Sequence, residues 1–412
     1  MELIALQNAI TEPDTSPIIN ILNFAIGYVS KDILKDACEI FKEVTRKTLE
    51  KQLEGEALQF QYGPPTGSAE WKEQTALFLS QAYGHPVLRD NLVLSCGSHH
   101  AMQLVLTTLL DLNGVLFVDE LTFGLGIFQQ FTSIEIVPVA FDMDSGPDVD
   151  DLRRKVAEKR FAPCKGKLFW GVYYTMTVFH NPTGVTYSAE VCRKLVELAR
   201  EENFLIASDD TSNLLSYSTK VPPKRLFAYD NPANEDYQGN VVSLGSFSKI
   251  FSPGTRIGWL ECPQRVSKFF AKSTLLNCTG ATNHFTSFLV ATLIRDGLLH
   301  QHFEQILLKY KERHNFVYNY LRKNLPEEVD VKSPGGGCFL WLRFPPDFSV
   351  TAFGSVLAQE HELHIFSGSF FAVNPEKFSN FCRIVFIFHD LPTLAVASEK
   401  FCATFRAFSG IK

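Results

Sequence analysis

No lysine, arginine or histidine occurs among the first thirty residues of this 412-residue chain. Targeting leaders rely on basic residues at that end, so a cleaved signal or transit peptide is not expected. A run of eighteen apolar residues is also missing, which leaves no candidate for a membrane-spanning helix. The nine cysteines are odd in number, form no Cys-x-x-Cys pair and sit in apolar segments such as "LVLSCGS" and "CRIVFIF". That pattern disfavours a disulfide framework or zinc ligation, and reduced thiols in a cytoplasmic protein are the expectation. Positive charge is short as well. With a net charge of −6 and a pI near 6.0, the chain lacks the basic surface that nucleic acid demands. No internal repeat or low-complexity linker breaks it up, and the one sequon, at Asn277, reads as accidental.

What is present describes a globular protein. Apolar residues make up 45% and charged residues 20% of the chain, and its length exceeds one typical domain. Most of the 36 phenylalanines are expected in core packing. Strand-like runs alternate with helical ones from about residue 65 to about residue 290. "DNLVLSCG" precedes "SHHAMQLVLTTLLD", whose Met102, Val105, Leu106 and Leu109 share one helical face. "GVLFVDE", "IEIVPVAFD", "KLFWGVYY" and "NFLIASDD" read as strands, and "SAEVCRKLVELAREEN" as an amphipathic helix capped by Ser188. Such a rhythm predicts a mainly parallel sheet with helices on both faces. After about residue 300 a long helix is followed by "GGGCFLWLRF" and "CRIVFIFHD". The expected fold is α/β: a large domain over 46–295, a smaller α+β domain over 296–412, and an arm over 1–45 that belongs partly to the small domain.

Polar clusters fall where the strands of such a sheet end, the usual place for a ligand. "SLGSFSKIFSPGTRIGW" puts Lys249 just beyond an apolar run, in a loop too rich in Gly and Pro for a helix. A lysine there is desolvated, and desolvation favours the neutral, nucleophilic amine. "CGSHHA" joins a strand to a helix start, so the N–H groups of Ser98 and His99 face an anion. "HNPTG" and "SDD" supply an asparagine and a carboxylate at two other strand ends. Amine, anion site, carboxylate and asparagine together suit pyridoxal phosphate, through its aldehyde, phosphate, ring nitrogen and ring oxygen. His99, His100 and His180 have no ordinary zinc spacing, and no metal is expected.

The chain resembles the fold-type I, class I/II pyridoxal-phosphate aminotransferases, in the branch of the aminoadipate and kynurenine aminotransferases and of the MocR-type regulators. The likeness runs from "FAIGYVS" to "CRIVFIF" and is strongest in "SFSKIFSPGTRIGW". It implies that Lys249 bonds the cofactor aldehyde, while Ser246, Ser248 and Arg256 hold the phosphate; a bidentate phosphate contact favours arginine over lysine. "QYGPPTGSAEW" implies that Tyr62 reaches the phosphate of a neighbouring subunit, hence a homodimer with shared sites. Ser98 and His99 would form the phosphate turn, Phe123 of "DELTF" would stack on the ring, and Asn181 would donate to the ring oxygen. Asp209 would pair with the ring nitrogen, Arg383 would clamp the substrate carboxylate, and Gly27 and Asn181 would also touch substrate. The implied activity is transamination between an L-amino acid (aromatic, aminoadipate-like or medium apolar) and a 2-oxo acid such as 2-oxoglutarate.

One position departs from the family. Where relatives carry a tyrosine aimed at the ring oxygen, "DDTS" places Ser212, and Tyr217 is the nearest phenol in sequence to stand in for it. Two other activities stay open: a lyase or decarboxylase on the same scaffold, and a non-catalytic cofactor-binding module like the regulator domains. Those carry a DNA-binding domain ahead of the fold, for which the residues before "FAIGYVS" leave no room.

Overall fold

The computed structural model describes residues 22–163 and 166–410. The first twenty-one residues of the expected arm, and Cys164, lie outside the described residues.

Two sheets organise the chain. The larger has seven strands, from one edge to the other β2 (Leu92–Ser95), β10 (Gly258–Glu261), β9 (Val241–Ser246), β8 (Leu205–Asp209), β7 (Phe169–Thr175), β3 (Leu110–Asp119) and β4 (Glu135–Val139). All its neighbours run parallel except those of β10, which is antiparallel to both β2 and β9. Every residue of β2, β7, β8, β9 and β10 is buried, as expected of strands covered by helices on both faces. A short hairpin of β5 (Phe141–Asp142) and β6 (Gly146–Pro147) follows β4, so the expected strand "IEIVPVAFD" is two pieces. The smaller, four-stranded sheet has the order β11 (Asp330–Lys332), β12 (Phe339–Arg343), β15 (Phe381–Val385) and β14 (Phe366–Ser367). A parallel pair joins β1 (Leu22–Asn23) to β13 (Leu363–His364).

The helices follow their sequence signals with one exception. Ser188 caps Ala189–Glu202, its Oγ accepting from the Val191 N–H at 3.2 Å, and Asn203 ends that helix in the left-handed region. Between those ends Cys192, Leu195, Val196, Leu198 and Ala199 are buried against the sheet. The 27-residue helix Leu298–Asn324 buries Leu299, Phe303, Ile306, Tyr310, Val317 and Leu321, spaced by three, four or seven. The helix expected over 98–111 stops early. It runs as Ser98–Leu104, widens into a π turn over Val105–Leu109, and yields to β3 at Leu110. There Oδ1 of Asp111 accepts from the Asn113 N–H at 3.0 Å, and the β3–β7 register shifts between Leu110 and Val115. The local turn and burial of Leu110 override the helical period.

The segment after β1 runs to the small sheet. Phe24 donates its N–H to the His364 carbonyl at 2.9 Å and accepts from Val385 at 2.8 Å, which seats Ala25–Tyr28 beside β15. Among the described residues no helix is long and apolar enough to cross a membrane.

Candidate active site

A cavity of about 420 Å³ opens at the carboxyl ends of β7, β8 and β9 and reaches the small sheet. Every residue singled out from the sequence as a site residue lines it except Tyr62, whose side chain is 80% exposed elsewhere on this chain.

Lys249 stands three residues past β9 and is only partly exposed. Its Nζ donates to the Gly27 carbonyl oxygen. Burial first, then the positive charges of Arg383 and Arg256, hold its amine below the usual lysine range. The site therefore favours an uncharged amine.

At one end of the cavity two hydroxyls and a guanidinium meet a glycine. Ser246 Oγ and Ser248 Oγ are 2.8 Å apart, and the Ser248 N–H donates to Ser246 Oγ at 3.1 Å. Arg256 donates from Nη2 to the Cys96 carbonyl at 2.6 Å, while Asn283 Nδ2 braces the loop through the carbonyls of Thr255 at 2.9 Å and Arg256 at 2.7 Å. Gly97 has φ +96°, and a Cβ on it would come within 2.9 Å of Arg256 Nη2 and 3.6 Å of Ser246 Oγ. Only glycine keeps that cradle open in that conformation. Ser98 and His99 follow as the first residues of their helix. This donor set fits a phosphate.

Asp209 ends β8, 5% exposed, with both oxygens held. Tyr174 donates its hydroxyl to Oδ2 at 2.9 Å, and Thr211 donates to Oδ1 from Oγ1 at 2.8 Å and from its N–H at 3.2 Å. The neighbouring Asp210 turns away into the sheet, where it accepts from Ser208 at 2.9 Å and Ser243 at 2.5 Å; burial raises its carboxyl to about 6. His99 stacks on Phe123, with centroids 5.6 Å apart and planes at 27°. Burial lowers its imidazole below the ordinary value.

Arg383 lies on β15, 3% exposed. Nη1 donates to Asn181 Oδ1 at 2.8 Å and Nη2 to the Ala25 carbonyl at 2.5 Å, while Nε has no hydrogen-bond partner. The rings of Phe339 and Phe371 flank its Cζ at 4.4 and 4.5 Å. Burial brings its pKa down to about 9. Its hydrogen-bond acceptors are neutral oxygens, so an entering carboxylate would supply the missing counter-charge.

Ser212 lines the cavity, whereas Tyr217 does not. The Tyr217 phenol donates to the Gly337 carbonyl and its ring packs beside His314 and Phe386, so it does not replace the absent tyrosine. Sequence reasoning missed Tyr174 and Thr211. The β7–β8 register offered a signal for Tyr174: it pairs with Ala207, two residues before Asp209 and so on the same sheet face.

A lysine amine whose pKa burial lowers, a phosphate cradle, a buried carboxyl group and a guanidinium awaiting an anion, at the carboxyl edge of an α/β sheet, define a pyridoxal-phosphate enzyme. The chain belongs to the class I and II aminotransferases, a family that it matches over residues 19–401. It is similar to the aromatic-amino-acid aminotransferase 1 of Thermococcus litoralis, with 31% identity over 311 residues, 74% of this chain and 70% of that one. The crystal structure of kynurenine aminotransferase from Pyrococcus horikoshii superposes with a TM-score of 0.81 at 25% identity, covering 100% of this chain and 95% of that one. The α-aminoadipate aminotransferase of Thermus thermophilus shares the fold at a TM-score of 0.75 and 21% identity, each chain covered fully. The protein is thus a pyridoxal-phosphate-dependent aminotransferase acting on amino acids.

Proposed function

We propose that the protein moves the amino group of an L-amino acid to a 2-oxo acid at the cavity that Lys249 shares with Asp209 and Arg383. Aromatic, aminoadipate-like and medium apolar donors, with 2-oxoglutarate as acceptor, are the range that the family likeness implies. The convergence of those three side chains in one cavity carries the reading.

Pyridoxal phosphate, when bound, supplies an aldehyde that joins amines and a ring that draws electrons from the bond being broken. Ser246, Ser248, Arg256 and the N–H groups at Ser98 and His99 would hold its phosphate. Asp209, whose two oxygens are fixed by Tyr174 and Thr211, would face the ring nitrogen. Asn181 accepts from Arg383 at Oδ1, which would leave Nδ2 to donate to the ring oxygen. Phe123, with His99 packed on it, offers a flat apolar face to the ring. Arg383 takes the substrate α-carboxylate and thereby orients the bonds at Cα, with Gly27 beside it. Lys249 would be the base that takes the proton from the substrate Cα. The Phe339 and Phe371 rings keep water from the arginine.

We infer also a cytoplasmic homodimer with shared sites. Eight described cysteines are free, which suits a reducing compartment. Leu53, Leu58, Phe60 and Tyr62 are 85%, 62%, 65% and 80% exposed, an apolar stretch suited to covering by a second copy. Mixing inactive Tyr62→Ala and Lys249→Ala homodimers tests this, because subunit exchange should restore one working site per hybrid. Confirmed hybrids without activity would place Tyr62 outside its partner's site.

Incubation with a panel of amino acids and a 2-oxo acid tests the reaction itself. One new amino acid should appear per 2-oxo acid formed from the donor. Stoichiometric ammonia or carbon dioxide instead would mark a lyase or decarboxylase.

A further inference from the structure

Resting on the cofactor site proposed above, we propose that Asp119 is a positioning residue for the cofactor ring. It acts through His180 on Asn181, and through the chain after β3 on Phe123. Neither Asp119 nor His180 lines the cavity, so neither meets cofactor or substrate directly.

Asp119 ends β3 with no exposed surface and gathers hydroxyls from two other stretches of chain. Tyr173 donates to its Oδ1, while Thr175 and Tyr187 donate to Oδ2 at 2.8 and 3.0 Å and lie 2.8 Å from each other. A buried carboxyl group without donors is strongly unfavourable, and a satisfied one specifies a single arrangement of its partners. His180 is equally buried. Its Nε2 stands 3.5 Å from Asp119 Oδ2 and has no hydrogen-bond partner among the described residues, while Nδ1 lies 2.9 Å from Thr183 Oγ1. That hydroxyl accepts from the Val185 N–H at 3.4 Å, which leaves its own proton for Nδ1. The imidazole N–H then sits on Nε2 and faces Asp119. Phe141 stacks on the imidazole at 4.7 Å, with planes at 27°, and keeps it from turning aside.

The turn that carries Asn181 closes on itself, the His180 N–H donating to the Val185 carbonyl at 2.9 Å and the Gly184 N–H to the His180 carbonyl at 2.6 Å. The imidazole ties that closed turn to the end of β3. Asn181 follows at once, and its Oδ1 accepts from Arg383 at 2.8 Å. Only that orientation of the amide turns Nδ2 toward the ring oxygen, so a small rotation of the turn misplaces the donor. On the other side, Phe123 comes four residues after Asp119, past Thr122, whose N–H donates to the Phe371 carbonyl at 2.8 Å. One buried carboxyl group thus sets the spacing between the side chain on the ring face and the side chain at the ring oxygen. An asparagine there would point an amide N–H at a hydroxyl or at the imidazole N–H, and the spacing would be lost.

The test reads two properties of the holoenzyme, the rate of cofactor release and the pKa of the visible absorbance, which donors at the ring oxygen lower. Neither needs turnover, so transamination is judged apart, by the amino-acid panel. Asn181→Ala sets the scale by removing the donor outright. His180→Leu keeps the bulk but severs the link, and Asp119→Asn keeps the shape but turns one acceptor into a donor. Both should raise the pKa by about half a unit or more and speed release by roughly threefold or more. His180→Gln, whose amide still donates toward Asp119, should return both values close to wild type. Val196→Ala, in the core beneath the Ala189–Glu202 helix, should melt lower and move neither. If His180→Leu or Asp119→Asn fails to fold, Thr183→Val, which removes only the hydroxyl at Nδ1, decides by the same readouts. Variants that melt lower yet keep the wild-type pKa and release rate would overturn the proposal, and Asn181 would remain the donor if Asn181→Ala shifts the pKa. No shift in Asn181→Ala would overturn the donor and the proposal together.

Discussion

The Tyr174 hydroxyl lies 2.9 Å from Oδ2 of Asp209, both side chains buried, and it is the one side-chain donor to that oxygen among the described hydrogen bonds. Donation by Tyr174 on one oxygen and by Thr211 on the other fixes the direction of the carboxyl group. Tyr174 is itself set by Phe128, whose ring meets it edge-on at 4.9 Å. It acts through Asp209 and is a positioning residue.

Tyr174→Phe should accordingly lower kcat with little change in KM, by roughly tenfold for one hydrogen bond to a charged group. The variant should also release pyridoxal phosphate faster. Loading both proteins with a cofactor analogue that has carbon in place of the ring nitrogen separates positioning from mere support of the fold. With the analogue the two should turn over alike. A deficit that persists there would show that Tyr174 only packs.

The lysine gives a pH prediction in the apoprotein. Burial lowers its amine from the ordinary 10.5, so the folded chain binds fewer protons at that site than the unfolded chain in the window below 10.5. Stability attributable to Lys249 then rises with pH through that window, since the unfolded state holds more protons. Lys249→Met removes the penalty. Its apoprotein should melt higher than wild type at neutral pH, and the gap should close as the pH approaches 10.5. The same variant should leave no adduct after borohydride treatment of the loaded protein. An adduct on another lysine would refute the assignment.

The sheet and the site differ in how far each was legible in the sequence. Strands β7, β8 and β9 were readable because burial on both faces demands unbroken apolar runs, and Ser188 announced its helix by capping chemistry. The end of the helix after Ser98 was not, because Leu109 and Leu110 are apolar in either conformation and a turn at Asp111 decides. Lys249, Asp209 and Arg383 were found through local motifs. Tyr174 escaped because it joins Asp209 across 35 positions, by strand pairing that no single segment displays. Phe366 and Phe370 look like two more core residues among 36 phenylalanines until the fold turns them toward Arg383.

Arg383→Ala should weaken all amino-acid substrates alike, because all share the α-carboxylate. Losing a charge-assisted pair of about 3 kcal/mol corresponds to roughly a hundredfold in kcat/KM. The buried Asn181 Oδ1 and Ala25 carbonyl also lose their donor, so the variant should melt lower than wild type. A loss confined to one class of side chain would make Arg383 a specificity residue and put the clamp elsewhere.

Ser212 sets the last expectation. In the loaded protein the ring oxygen and the nitrogen that joins Lys249 to the cofactor share a proton, and the oxygen bears fuller negative charge once that proton leaves. Donors aimed at the oxygen stabilise the deprotonated form and lower the pKa read from the visible absorbance. The family resemblance implies a tyrosine and an asparagine aimed there. This chain has Asn181 on the cavity wall and Ser212 where the tyrosine would be, while the Tyr217 phenol is committed to the Gly337 carbonyl. The absorbance pKa should thus lie above that of relatives, with more of the protonated form, the one amines attack, at neutral pH. Ser212→Tyr should move it down by roughly one unit if the new bond contributes about 1.4 kcal/mol. Tyr217→Phe should leave it where it is, since that hydroxyl points to another acceptor. A Ser212→Tyr pKa at or above wild type, or a shift in Tyr217→Phe, would mean that the ring oxygen already has its second donor.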